Sequence, residues 1–316
     1  MPIYADPAKS AAYMAWRADA ARWLPMAEAI AAAHGLPHDR VIAFSGGTNL
    51  VAALDARLVI KMFPALLRHQ FVSERETLKH LRGKLSIAIP QIAAEGEHSG
   101  FSYIIMTRLS GSVGGDAWPL MGEAEKERAL HDLGRLIAEV QRIEPGPLAE
   151  LDPPWVPFLR HQLEHCRARH ARLGLPQPLL EELDGFIAGS ISVLPAGPLA
   201  ILTGEYIQEN LFFAQSENGW RLSGLFDFGD VMTGLAEYDL LGPSLFMAAG
   251  RAGRVRALFE GYGLAECAVT PEYRRRLMLL MLLHRFSNLP GTLAIENWPA
   301  RANTLEGLEA LIWPAH

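Results

Sequence analysis

Hydrophobic and polar positions follow two rhythms along this chain, and the change from one to the other marks its organisation. From about Pro7 to His34 apolar residues recur at helical spacing (Met14, Trp16, Ala20, Trp23, Leu24, Ala27, Ile30) and stop at Gly35, which predicts an outer packing helix broken near Pro25. Val41–Phe44, Leu50–Leu54 and Leu58–Phe63 are then short apolar runs, separated by Ser45-Gly46-Gly47-Thr48-Asn49 and by Asp55-Ala56-Arg57, and read as three successive strands. A helix follows over about Ala65–Leu81. Lys84–Ile92 and Phe101–Met106, around a polar turn at Glu97–Gly100, complete a small sheet of about five antiparallel strands.

After Met106-Thr107-Arg108-Leu109 the composition shifts to Ser110-Gly111-Ser112-Val113-Gly114-Gly115, and the period becomes helical. The expected division is therefore residues 1–108 and 109–316, an α+β fold with a small strand-rich lobe and a larger, mainly helical one. Leu130, Leu133, Leu136, Ile137 and Val140 line one helix face, and helices are expected over Trp155–Leu173, Glu181–Leu194, Tyr238–Ala249, Val255–Gly261, Pro271–Phe286 and Thr304–Trp313. One hairpin interrupts them. Its arms are Leu211–Ala214 and Leu222–Phe226, and Asn218-Gly219 supplies the pair that favours positive φ in a tight turn.

Charge and composition narrow the classes. Half of the 316 residues are hydrophobic and 20% charged, enough to bury a sizeable core in one or two packed domains. The net charge of −6 and the lack of a long Lys/Arg tract argue against a nucleic-acid binder, and make a charged small ligand more plausibly a cation. Cys166 and Cys267 cannot form a disulfide framework, so a reducing cytoplasm is the expected compartment. Leu277–Leu283 is the longest aliphatic run, far too short for a membrane span.

The chemistry concentrates between Leu202 and Asp230. The hairpin is expected to bring Asn210 level with Asp227, and Glu205 lies five residues before Asn210 on irregular chain, so three oxygen-bearing side chains can converge. An oxygen-only set without Cys or His suits Mg²⁺ better than Zn²⁺. An acid, four residues, an Asn and then a strand-terminal Asp-Phe-Gly is also the layout of a phosphoryl-transfer site, in which the acid orients a hydroxyl and Asn and Asp hold metal. Upstream, Gly46 and Gly47 allow the Ser45–Thr48 backbone to approach a phosphate. Lys61 is a lone cation in an apolar strand and needs a buried partner; Glu74 and Glu76 are the candidates on the following helix, and because they cannot share a face only one of them can serve. His161-Gln162-Leu163-Glu164-His165 fits a zinc-peptidase pattern, but Arg160, Arg167, Arg169 and His170 beside it favour a solvated basic face.

These motifs, in this order, resemble the aminoglycoside phosphotransferase family across nearly the whole chain, and Leu202–Phe212 with Gly224–Val231 look most similar to hygromycin B 7″-O-kinases. The resemblance implies a two-lobe kinase-like fold with ATP or GTP and Mg²⁺ between the lobes, a small-molecule, cationic acceptor, and an activity of the kind that confers antibiotic resistance. Lys61 would hold the α- and β-phosphates, Glu74 would orient it, Asn210 and Asp227 would bind Mg²⁺, and the strand carrying Met106 and Arg108 would meet the base. The chain departs from the family most seriously at one place: Thr203 and Glu205 stand where the pattern has His and Asp, while Leu235 and Ala236 replace an Asp-Pro further on. The alternative expectation is therefore a nucleotide-binding pseudokinase.

Overall fold

The computed structural model describes residues 7–195 and 197–314. The chain divides into two compact units: one takes it to Lys84 and adds Ala88–Ser110 and Gly224–Val231, and the other comprises Leu85–Ile87, Gly111–Ser223 and the chain from Met232.

In the first unit, helices α1 (Pro7–Arg17) and α2 (Leu24–Ala33) precede strands β1 (Ile42–Ala43), β2 (Leu50–Ala53) and β3 (Leu58–Pro64). Helix α3 (Arg68–Leu81) and strands β4 (Ile92–His98) and β5 (Phe101–Thr107) follow. The strands make one antiparallel sheet of order β1-β2-β3-β5-β4, in which Lys61 of β3 lies opposite Val51 and Ile104. Side chains alternate across the pleat, so Ile60 and Met62 join Trp23, Ile30, Leu50 and Ile105 in one core cluster, while Lys61 and Phe63 turn toward α3. The sheet is thus covered by α2 on one face and α3 on the other.

Two details differ from the sequence reading. The N-terminal helix breaks at residues 18–23, not at Pro25, which sits in the first turn of α2, where a missing N–H costs nothing. The fourth strand begins at Ile92, where the expected one ends: Pro90 cannot donate to a ladder, and the polar Glu95-Gly96-Glu97-His98 makes an edge strand that alternation does not announce.

The second unit starts with β6 (Ser112–Val113) and α4 (Gly114–Ala117), continues through α5 (Glu123–Gln141), α6 (Trp155–Arg172) and α7 (Gln177–Ser190), and reaches β7 (Ala200–Leu202), β8 (Leu211–Ser216) and β9 (Gly219–Leu225). After β10 (Met232–Gly234) come α8 (Ala252–Tyr262), α9 (Pro271–Leu282), α10 (Leu289–Thr292), α11 (Trp298–Arg301) and α12 (Leu305–Ile312). The five residues of the predicted α5 face are all buried. Helices α5 and α8 meet at two glycines: a Cβ on Gly134 would stand 2.2 Å from the Leu258 carbonyl, and one on Gly261 2.1 Å from that of His131.

Tyr238–Ala249 is not the expected α-helix. It is a 3₁₀ turn (Ala236–Leu240) followed by a π-type turn (Pro243–Ala248) that ends at Ala249 with φ 49°. Pro243 lacks an N–H, and Ser244 Oγ donates to the Leu240 carbonyl at 2.7 Å, drawing the chain off the α pattern. Cys166 and Cys267 are unbridged, and among the described residues no helix is long and apolar enough to cross a membrane.

Candidate functional site

The first unit brings two predicted residues, Glu74 and Asp227, together around Lys61. Its Nζ lies 2.5 Å from Glu74 Oε2 and 2.8 Å from Asp227 Oδ1, with the Lys61 and Glu74 side chains almost wholly buried and that of Asp227 34% exposed. Burial disfavours the ammonium, but Asp227 and Glu74 together outweigh it and raise the lysine above its ordinary value. Burial pushes Glu74 up to about 7, with Lys61 pulling the other way. Distances this short are those of an ammonium donating to two carboxylates, so the ionised set is the state the geometry supports. Glu76 turns away and pairs with Arg75 at 2.7 Å.

Helix α3 also shapes the Asp227 segment. Ser73 Oγ lies within hydrogen-bond reach of the Phe228 and Val231 carbonyls (3.0 and 3.1 Å), and the Phe228 ring is buried. Gln70 accepts from Asn49 Nδ2 at 2.9 Å and donates to Asp230 Oδ2 at 3.1 Å, which ties the glycine turn to the Asp-Phe-Gly-Asp segment. Asp227 itself has φ 67°, a left-handed conformation that a side chain other than glycine adopts only where its surroundings hold it.

Ser45, Gly46, Gly47 and Thr48 form an exposed turn between β1 and β2. Gly47 has φ 76°, which explains its glycine. A Cβ on Gly46 or Gly47 would meet nothing within 4 Å, so the space over the turn is open. Met106 is buried in β5 opposite Val59; Arg108 just beyond is exposed, donates its backbone N–H to the Arg57 carbonyl at 2.7 Å and sets its guanidinium over Phe44. One contributor escaped the sequence reading: Arg17, in a helix expected only to pack, reaches this turn. The available signal was a cation at the end of an amphipathic helix, which is common and carries little information.

The second unit holds Glu205 and Asn210. They lie on the loop between β7 and β8, whose bend at Gly204 has φ 80°. Asn210 Nδ2 donates to the Glu205 carbonyl at 3.1 Å, which leaves the amide oxygen as its acceptor end. Buried Asp239 accepts from the Thr203 and Gly204 backbone amides at 2.9 Å each and so buttresses this loop. Burial drives the Asp239 carboxyl up to about 7, against the pull of those two amides and of Arg285. Taken singly, the Asp227 carboxylate of the first unit and the Asn210 amide oxygen of the second are each a donor of the kind a hard divalent cation takes.

His161, Glu164 and His165 of α6 also stand close enough for their ligand atoms to lie within 4.8 Å of one another. They sit on the solvent side of the helix, where His165 Nδ1 bonds the His161 carbonyl at 2.9 Å.

The model of a family described as phosphotransferase enzymes matches residues 40–279. No curated protein matches the chain in sequence. Among solved structures, the GDP complex of aminoglycoside 2′-phosphotransferase-IIIa is 17% identical, with TM-score 0.64 over 86% of this chain and 91% of that one. The streptomycin–ATP ternary complex of APH(2″)-IIa is 20% identical, with TM-score 0.54 over 77% and 84%. A Ralstonia eutropha protein described as a putative aminoglycoside phosphotransferase is 17% identical, with TM-score 0.59 over 90% and 92%.

Proposed function

The chain belongs to the phosphotransferase enzyme family, and from that premise we propose that it is a small-molecule O-kinase, moving the γ-phosphoryl group of ATP or GTP to a hydroxyl of an aminoglycoside-like or other polyol or amine acceptor. The observation that carries this reading is Lys61 held between Glu74 and Asp227. A buried ammonium fixed by a helical acid on one side and a strand-terminal Asp on the other is the arrangement phosphoryl transfer requires, because that reaction depends on positioning and charge neutralisation.

Each residue then has a task. Lys61 binds the α- and β-phosphates, with Glu74 orienting it, and the Ser45–Thr48 backbone donates to phosphate oxygens. Met106 and Arg108 lie where the base is received. Asn210 and Asp227 supply oxygen donors for Mg²⁺, which when bound neutralises phosphate charge. Glu205 accepts the hydroxyl proton as the acceptor oxygen bonds to the γ-phosphorus; the bond from that phosphorus to its bridging oxygen breaks, and nucleoside diphosphate leaves. The net charge of −6 favours a cationic acceptor.

Glu205 also motivates the second reading, a nucleotide-binding pseudokinase. One experiment separates the two: nucleotide turnover with Mg²⁺ and ATP or GTP across a panel of aminocyclitols and polyols, for wild type, Glu205→Gln and Asp227→Asn. Acceptor-dependent phosphorylation that both substitutions abolish supports the kinase. Nucleotide binding without any transfer, unchanged by Glu205→Gln, favours the pseudokinase.

A further inference from the structure

Arg17 ends α1 ahead of the family match, which starts at residue 40. Its side chain is buried, only 8% of the residue being exposed, and all three guanidinium nitrogens are spent on the glycine turn. Nη1 donates to the Ser45 carbonyl at 3.0 Å, Nε to the Asn49 carbonyl at 3.1 Å, and Nη2 to the Gly46 carbonyl. Tyr13, one helical turn earlier, donates its hydroxyl to the Thr48 carbonyl at 3.0 Å. The position of Arg17 is itself fixed, because its own carbonyl accepts from the buried Trp23 Nε1 at 3.0 Å.

Two consequences follow from elementary geometry. In a trans peptide the C=O of one residue and the N–H of the next point in opposite directions, and the peptides of this turn are trans. With the carbonyls of Ser45, Gly46 and Thr48 drawn toward α1, the N–H groups of Gly46, Gly47 and Asn49 face away from it, toward the open side of the turn. The second consequence is electrostatic. Among the described residues no carboxylate lies within ion-pair distance of Arg17, so a buried positive charge stands behind the turn without a counter-ion, an arrangement that proteins rarely keep without use.

We propose that Arg17 is the positioning residue of a polyphosphate-binding turn: it orients the amides of Ser45–Asn49 toward the phosphates of the nucleotide, whose negative charge completes its own. The assignment rests on the phosphotransferase reading, but it adds a segment outside the matched family region. Arg17 does not touch the ligand; it acts through the backbone it holds.

The test compares triphosphate with nucleoside. Affinities of the full chain for Mg·ATP or Mg·GTP, whichever the wild type prefers, and for the corresponding nucleoside are measured by calorimetry in wild type, Arg17→Met and Arg17→Lys, with melting temperature recorded for each. Arg17→Met is expected to weaken triphosphate binding about tenfold or more, the scale of a charge-assisted hydrogen-bond set, while nucleoside affinity stays within about twofold. Arg17→Lys restores part of the loss, since it keeps the charge but cannot reach three carbonyls. Should Arg17→Met fail to fold, the same ratio is read from Arg17→Lys, which must still lose triphosphate affinity selectively. Equal losses for triphosphate and nucleoside, or none, overturn the proposal while leaving the phosphotransferase reading intact. A wild type that binds no nucleotide overturns both.

Discussion

Around Lys61 in the first unit, one ammonium serves two carboxylates, a helix supplies two further polar side chains, Gln70 and Ser73, to the Asp227 segment, and a buried guanidinium fixes the glycine turn. Around Glu205 in the second unit, the loop is held at Thr203 and Gly204 by one buried carboxylate, and Asn210 bonds back to the Glu205 carbonyl. The first arrangement fixes charged side chains against each other, so it is rigid before any ligand arrives. The second fixes backbone and leaves the acid on a bend. The difference bears on Thr203 and Glu205, where the resemblance in sequence implies a His and an Asp: they lie on the loop held through its peptide groups, and backbone bonds tolerate a change of side chain that an ion-pair set would not.

Removing a member of the ion-pair set is the severest test of that contrast. Asp227→Asn is expected to lower acceptor phosphorylation by on the order of 10³ in kcat, the cost of one preorganised charged group at a phosphoryl-transfer centre. Lys61→Met strands Glu74 in the interior and is expected to cost about 3 kcal/mol of stability by chemical denaturation, much of it recovered by adding Glu74→Leu. A Lys61→Met protein as stable as wild type would show that the set is not held by mutual charge.

Next in size is the acid on the bend. Glu205→Gln is expected to reduce transfer by about 10² to 10⁴ while nucleotide affinity is unchanged, because on the proposed reading Glu205 handles the acceptor hydroxyl and not the phosphates. Glu205→Asp shortens the stem by one methylene, and a displacement of about 1 Å can cost about 10²-fold. If the Asp variant is instead faster than wild type, the loop has no backbone adjustment matched to Glu.

How much of this was legible beforehand follows the same division. Lys61, the glycine turn and Asp227 announce themselves because a lone cation in an apolar strand, two adjacent glycines and a strand-terminal acid each break a local pattern, whereas Glu74 is separated from Glu76 only by its resemblance to the family spacing. Four of the sheet's five strands and α5 follow from period alone. Pattern reading failed at β4, an edge strand with polar residues on both faces, and over Tyr238–Ala249, where Pro243 and Ser244 replace α-helical bonds with longer and shorter ones. Arg17 was invisible for another reason: its partners are backbone carbonyls 28 to 32 residues away, and carbonyls have no sequence signature.

The remaining predictions probe the buttress. Asp239→Asn places an amide NH₂ against one of two backbone N–H groups, and leaving a buried donor unpaired costs about 1–3 kcal/mol. The expected result is that loss of stability together with a lower kcat and an unaltered nucleotide affinity. A fall in nucleotide affinity would mean that the two regions are not independent.

The smallest effect is a change of slope with pH, and its sign follows from burial. In the unfolded chain Asp239 titrates near 3.8, whereas in the fold it titrates near 7. Between those values the folded state binds more protons than the unfolded one, so stability contributed by the neutral carboxyl is complete below about pH 4 and is lost as pH rises through 7. Glu309, also raised to about 7 by burial, adds a slope of the same sign, so the absolute curve cannot be assigned to one residue. The comparison can: Asp239→Asn, which stays neutral throughout, should lose the Asp239 share of the slope, at most about 1.4 kcal/mol per pH unit, and keep the rest. Its deficit relative to wild type is therefore largest near pH 5 and shrinks toward pH 8, because wild type must ionise a carboxyl that burial holds neutral while the variant has nothing to ionise. Parallel curves would show that the Thr203 and Gly204 amides stabilise the carboxylate at least as much as burial penalises it, and the loop would then be held by charge after all, like the region around Lys61.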